Sequence, residues 1–513
     1  MRRRDFLKAV SAVPVGAWLS TVRRYQGGGS VATAAETPAF SAAEVQEQAR
    51  ALAAKKFVPP KIDLPAALLE LDYDQYRDIR FKLERAIWND EGLPFLVELF
   101  HRGFYYKEPV VIYIVARGQA LPLLYSPDFF TFGPRVPSFP SGTVTDFAGF
   151  RLRAPINRSD HFDEFAVFQG ASYFRAVAKG QEYGLSARGL ALRTGDPEGE
   201  EFPFFRTFWI ERPRAGASTV VVHALLDSPR TTGAYRFTIR PGEPTVMDVE
   251  MTLYPRVELT QIGLAPLTSM FFFAPNDRVG MDDFRAAVHD SDGLAIWNGQ
   301  GEWLWRPLVN PETLQVSVFI DDNPRGFGLL QRHRAFMDYQ DLEARYERRP
   351  SLWVEAIGNW GEGAVQLVEI PSKSEIDDNM VAFWRPKQPL PAQTEYRFTY
   401  RLHWCSTPPV TPTLATVAAT RTGAGAEQGT RRMVIDFVGK QLADLKPDAP
   451  VEPVITTSAG TVQQPVVQPN PATGGWRLSF VLVPGDAAVC DLRCVLKLGE
   501  TLLSEVWLYR WTP

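Results

Sequence analysis

The sequence predicts an all-β-dominated protein: a large N-terminal β-sandwich followed by a small immunoglobulin-like β-sandwich. Three observations predict it. From about residue 95, short runs of alternating apolar, aromatic and β-branched residues recur, punctuated by Gly and Pro. Near residue 405 a Pro/Thr-rich stretch, STPPVTPTLATV, breaks that texture. About a hundred residues follow in several more strand-like runs, the size of one immunoglobulin-type sandwich, although the Cys…Trp…Cys signature is missing.

In chain order, Arg3-Arg4-Asp5-Phe6-Leu7-Lys8 and the weakly apolar AVSAVPVGAWLSTV read as a twin-arginine export leader over residues 1–35. Pro14 and Gly16 break that segment too soon for a membrane span. The leader carries six Lys/Arg and one acid, leaving a mature chain with 49 basic and 58 acidic residues and a net charge of −9. That balance argues against nucleic acid or an anionic membrane surface as the main partner, and the expected compartment is the periplasm. No stable membrane insertion is expected.

Ser41-Ala42-Ala43-Glu44 reads as a capping box opening a helix, and a second helical stretch is predicted around Tyr73–Trp88. Strands are predicted in VVIYIVA, STVVVHALL, GAYRFTIR, TVMDVEMTLY and QVSVFI, the second to fourth forming a meander. Phe336–Arg349 reads as a helical interlude. The large domain is assigned to 36–406, a linker to 407–418, and the small sandwich to 419–513. Cys405, Cys490 and Cys494 make no disulfide framework; with Cys490 and Cys494 on one strand, their Cα atoms stand roughly 13 Å apart. The six histidines lack metal-ligand spacing, so neither a metal site nor a cofactor is expected.

Chemistry concentrates between Leu267 and Leu308, where His289-Asp290-Ser291-Asp292 precedes Trp297, Trp303 and Trp305. Carboxylates beside flat aromatic faces suit a site that binds and cleaves sugars. Taken alone, the stretch fits a β-rich core with an acidic turn at its edge better. Gly184-Leu185-Ser186-Ala187-Arg188-Gly189 misses the Gly-x-Ser-x-Gly elbow by one residue, and the β-rich context is wrong for it. GAGAEQG at 423–429 lacks the strand and the Lys-Ser/Thr of a phosphate loop.

Long collinear segments go further: FQGASYFRAVAKGQEYGLSARGLALRTG (168–195), HDSDGLAIWNGQGEWLWRPL (289–308), DNPRGFGLLQRHRAF (322–336), RRPSLWVEAIGNWGEGAVQLVEIP (348–371) and DNMVAFWRP (378–386). They resemble the glucans biosynthesis protein G/D family of the bacterial periplasm, and the twin-arginine leader resembles the D type more than the G type. The resemblance implies a galactose-mutarotase-like large sandwich and a role in making or trimming osmoregulated periplasmic glucans with a β-1,2-linked backbone. Some members resemble anomer-inverting glycoside hydrolases with an Asp/Asp pair. By motif the general acid falls on Asp378 and the base on Asp290, with Tyr346 in the proton path to the attacking water. Asp292, Trp297, Arg325 and Trp353 are the substrate-binding candidates. The expected partner is β-1,2-glucan; a homodimer and contact with the membrane glucan synthase are compatible with it. One departure stands out: TRTGAGAEQGTRRMV (420–434) is short and lacks the tryptophan-bearing insertion of related sequences. A non-catalytic glucan-binding or assembly factor is the alternative.

Overall fold

The computed structural model describes residues 40–140, 143 and 145–513; the leader expected at 1–35 lies outside the described residues. A ten-stranded sheet and a fifteen-stranded sheet form the large sandwich. Apolar alternation drives the strands together: Phe150, Phe168 and Phe174 of the first sheet meet Phe208, Phe237 and Trp404 of the second. Ring centroids lie 5.0 Å apart for Phe150–Phe208 and 5.2 Å for Phe168–Phe237, both edge-to-face, the arrangement the ring quadrupoles favour. The expected meander is there, Val220–Asp227, Thr231–Arg240 and Thr245–Pro255 pairing antiparallel in sequence.

The helix Ala42–Ala53 starts at Ser41, whose side chain accepts from Glu44 N. Val45 and Ala49 bury against Trp209, Leu225 and Tyr254 on the outer face of the larger sheet. The second expected helix is shorter than the pattern suggests. It spans Tyr73–Arg77, with a capping box at Asp72 and Gln75. Ile79–Phe81 then leaves it to pair with Phe130–Phe132, because the apolar residues that followed helical spacing fill a sheet edge instead. Phe336–Arg349 is also not one helix. Positive φ at Gln340 and Arg345 splits it into 3₁₀ turns at Phe336–Asp338 and Tyr346–Arg348. The Asp341 carboxylate caps Glu343 N and Ala344 N between them, a local bond that competes with helix.

The small sandwich packs a four-stranded sheet onto Glu452–Thr457, Cys490–Leu498 and Val506–Trp511. Those three strands are the end of the fifteen-stranded sheet. Leu304 and Trp305 pair in parallel with Val506 and Trp507, so hydrogen bonding runs unbroken from one sandwich into the other. Thr416–Ala424 is a strand, and Ala415 and Val417 are buried, although all three lie in or across the stretch expected as a linker. Cys490 and Cys494 share one strand as expected; all three cysteines are buried thiols, and burial pushes those of Cys405 and Cys494 up to about 12.

This continuity makes a prediction about proteolysis. Cleavage is expected in the exposed run Ser406–Leu414 or at the hairpin tip Ala426–Gly429. The nicked pieces should co-elute in native size-exclusion chromatography, held by the Trp305–Trp507 ladder and by Arg332–Glu505 at 2.6 Å. Two species eluting separately would show that the shared sheet does not hold them.

Candidate functional site

The site is organised around Met270-Phe271, where the strand Ile262–Ser269 runs on into Phe271–Phe273. Phe271 pairs with His289, and Asp290 N donates to Met270 O at 2.8 Å. On the other side the buried Asn379 brackets Phe271. Its Oδ1 accepts from Phe271 N and its Nδ2 donates to Phe271 O, both at 2.9 Å. Asp290 and Asp378, 88 positions apart in sequence, thus share one neighbouring segment.

The two carboxylates have unlike surroundings. Asp378 is 23% exposed, with an Arg175 guanidinium nitrogen at 3.4 Å. Its neighbour Asp377 is turned onto Ser372, whose Oγ donates to it at 2.9 Å. Asp290 is fully buried and takes a 2.7 Å bond from Arg349 Nη1. Arg349 also donates through Nε and Nη2 to Ala344 O and lies over the Tyr346 ring, 4.6 Å from its centroid. The arginine stem passes close to Gly184, where a Cβ would sit 3.0 Å from Arg349 Cβ. Two residues on, Ser186 opens the strand Ser186–Arg188; it is buried, and its Oγ has no hydrogen-bond partner among the described residues.

Tyr346 is buried and donates its hydroxyl to Glu375 Oε2 at 3.2 Å. Glu375 accepts in turn from Arg285 at 2.6 Å. An unbroken set of contacts therefore runs from the loop carrying Asp378 through Glu375, Tyr346 and Arg349 to Asp290. The Tyr346–Arg349 turn hangs from the segment 331–334. Gln331 Nε2 donates to both His289 O and Tyr346 O, at 3.1 and 3.2 Å, and Arg334 donates to Arg349 O. Between them Arg332 lies 3.6 Å over Trp305 and reaches Glu505 of the small sandwich.

Asp292 occupies a different place. Its carboxylate accepts from the backbone N–H groups of Arg332 and His333 and bonds His333 Nδ1 at 2.6 Å, beside the pocket between the two sandwiches. Burial pushes the Asp292 carboxyl up, but the charges of His333 and His289 outweigh it and hold it well below its usual range. The Asp292 charge in turn raises His333 from 6.5 to about 9. The pair should therefore stabilise the fold fully between the ordinary carboxylate range and pH 6.5. That stabilisation is lost as pH rises through about 9, and lost again as acid protonates Asp292. The melting-temperature gap between wild type and His333→Gln should be widest near pH 5–6, by order-of-magnitude linkage reasoning, and should close above the His333 value. A gap independent of pH would rule the ion pair out as its source.

The tryptophans form a stack rather than an open platform. Trp297 lies on Trp303 with centroids 5.3 Å apart, and Trp303 on Trp353 at 5.5 Å. Arg325 covers the Trp297 ring at 5.0 Å. Trp353 is 1% exposed and belongs to the core shared with the small sandwich, so it has no face open to a sugar. Of the candidate residues, the structure links the loop of Asp378, Tyr346 and Asp290 through Glu375 and Arg349, and sets Asp292, Trp297, Arg325 and Trp353 at or near the junction between sandwiches. The three-residue spacing from Tyr346 to the buried Arg349 gave no sequence signal for that arginine's role; neither did Arg175, Arg285 or Glu375, since ordinary charged residues acquire roles only through their partners.

Residues 40–511 match the family described as "Periplasmic glucan biosynthesis protein, MdoG". The chain is 54% identical over 515 aligned positions, the whole length of both chains, to a "Glucans biosynthesis protein G" of Bradyrhizobium diazoefficiens. It is 56% identical to a protein of that name from Rhodopseudomonas palustris, over 91% of this chain and 93% of the relative. A Vibrio cholerae protein, again of that name, is 52% identical over 93% of this chain and 88% of its own. The D-type likeness drawn from the leader is not carried by these relatives, all of which bear the G designation. Among the described residues no helix is long and apolar enough to cross a membrane. With nearly the whole chain matched at more than half identity, the protein belongs to the periplasmic glucan biosynthesis family MdoG.

Proposed function

We propose that this chain is an anomer-inverting glycoside hydrolase acting on the β-1,2-linked backbone of osmoregulated periplasmic glucans, exported by its twin-arginine leader. The observation that supports this best is the run of contacts that links the loop of Asp378, through Glu375, Tyr346 and Arg349, to Asp290. A glycosidic oxygen is a poor leaving group, and the part-exposed Asp378 is the carboxyl positioned to protonate it. Inversion then requires a second carboxylate to take the proton of a water on the opposite face of the sugar. Asp290 is buried, and in this reading the Tyr346 hydroxyl carries the proton between the water and that carboxylate.

A second reading has its own support. Arg349 already occupies an Asp290 oxygen that a base would offer, and the hairpin between Thr416–Ala424 and Arg431–Val438 is short. Both favour a glucan-binding or assembly factor that holds chains without cutting them. Incubation of the purified mature protein with linear β-1,2-glucan separates the two. The hydrolase reading expects shorter chains by chromatography, with α-anomeric reducing ends appearing first by NMR. Binding with no shortening selects the assembly factor.

A further inference from the structure

We propose that Tyr173, Arg188 and Phe202 form a glucosyl-binding subsite beside Asp378, on the outer face of the ten-stranded sheet. The subsite rests on the glucan reading above, though not on cleavage. Phe174 and Ala187 belong to the core between the sheets, so strand alternation puts Tyr173, Arg175 and Arg188 on the opposite, outer face. Tyr173 and Arg188 stand directly across from each other in the ladder. Two residues along, Arg175 reaches Asp378 at 3.4 Å. Burial pushes the Tyr173 phenol up and Arg188 pulls it down, while the Asp378 charge adds to the rise, so the carboxylate is within electrostatic reach of that ring.

Arg188 is the last charged residue of Gly184-Leu185-Ser186-Ala187-Arg188-Gly189, the stretch that only half resembles a nucleophile elbow. It is buried, and its Nε donates to Thr268 Oγ1 at 2.8 Å and its Nη1 to Glu200 Oε1 at 2.6 Å. Thr194 Oγ1 donates to the same Glu200 oxygen. The fixed guanidinium lies 4.8 Å from the Tyr173 ring centroid and 5.6 Å from that of Phe202. Phe202 is 51% exposed, unlike the closed tryptophan stack. Its segment is tied down on both sides, Glu201 N donating to Leu192 O and Phe205 N to Ala171 O, each at 3.0 Å. A ring held in place loses little freedom when a ligand settles on it.

The chemistry of this cluster selects a neutral polyol. A pyranose has an apolar C–H face, which a phenyl ring covers, and a rim of hydroxyls, which a guanidinium and a phenol hydrogen-bond. Arg188 Nη2 has no partner among the described residues and remains to donate to such a hydroxyl. Both guanidinium groups already face a carboxylate, Arg188 with Glu200 and Arg175 with Asp378. An anionic ligand would meet matched charge here and gain nothing over water.

The test titrates linear β-1,2-glucan into the mature Asp378→Asn protein by calorimetry, so that no chain is cut while binding is read. Adding Phe202→Ala should weaken binding about tenfold, the scale of one lost aromatic face. Melting temperature should hold, because a ring this exposed supports little of the fold. Phe202→Trp keeps an aromatic face and should bind like its parent. The loss should vanish for oligosaccharides too short to span from Asp378 to the ring, and affinity should change little with salt. Unchanged binding of long glucan by the Phe202→Ala variant overturns the subsite, as does affinity that falls steeply with added salt. The hydrolase reading fails separately: a wild type that binds glucan without shortening it ends that reading, and the subsite stands if Phe202→Ala still weakens binding. A wild type that shortens glucan while the Phe202→Ala variant binds normally ends the subsite alone. Absence of any binding ends both.

Discussion

Asp378→Asn is expected to abolish nearly all glucan cleavage while leaving the fold intact. Asparagine matches aspartate in size but has no acidic proton to give the departing sugar oxygen. General acid catalysis contributes about 10²–10⁴-fold and more for a poor leaving group, so turnover should fall at least that far. The side chain is part-exposed and the Arg175 guanidinium beside it is itself 24% exposed, so that pair contributes little to stability. Glucan affinity should persist, since the carboxyl is one contact among many. Matched measurements of turnover, melting temperature and glucan binding on wild type and variant check this. Near-wild-type turnover in the variant would remove Asp378 from the role of acid.

Arg349→Ala should produce the largest loss of stability, about 3–5 kcal/mol by denaturant titration. The guanidinium is 1% exposed and its partner Asp290 is 0% exposed, so truncation removes the countercharge of a buried carboxylate. Ala344 O loses two donors and the Tyr346 ring loses its cover at the same time. A cost near that of a surface substitution, about 0.5 kcal/mol, would show that the site reorganises around Asp290. The same geometry bears on Asp290→Asn. That change leaves Arg349 without its countercharge, so lost activity in it is informative about the base only when compared at equal folded fraction.

Much of the fold was legible because alternation of apolar residues is a local signal. Val220–Asp227, Thr231–Arg240 and Thr245–Pro255 fell where the pattern put them, as did the strand that holds Cys490 and Cys494 apart. Beyond the short helix Tyr73–Arg77, the segments expected to be helical, Tyr73–Trp88 and Phe336–Arg349, carry apolar residues at helical spacing that are buried for other reasons. Tyr339 and Tyr346 enter the core from short turns, and Asp341 satisfies backbone donors a helix would otherwise have used. Periodicity reports which side chains are buried, not which backbone path buries them.

The candidate site divides in the same way. Asp290, Asp378 and Tyr346 were proposed through resemblance of long ordered segments, and family membership is carried by more than half identity over the whole chain. The tryptophans near His289–Asp292 looked like a sugar platform because density of aromatics along a chain cannot distinguish an open face from a closed stack. Trp297, Trp303 and Trp353 stack on one another, and the small sandwich completes the core around them.

By itself the sequence determined the β class, the two-sandwich plan, the unpaired cysteines and the family, since each depends on residue type and order along the chain. Only the tertiary structure decided that the two sandwiches share one sheet through Trp305 and Trp507, and that Arg349 seals Asp290. Only it decided that Arg285 and Glu375 stand behind Tyr346. These are pairings between residues tens to hundreds of positions apart. A charged side chain has no fixed role until folding chooses its partner and excludes the water that would otherwise screen it.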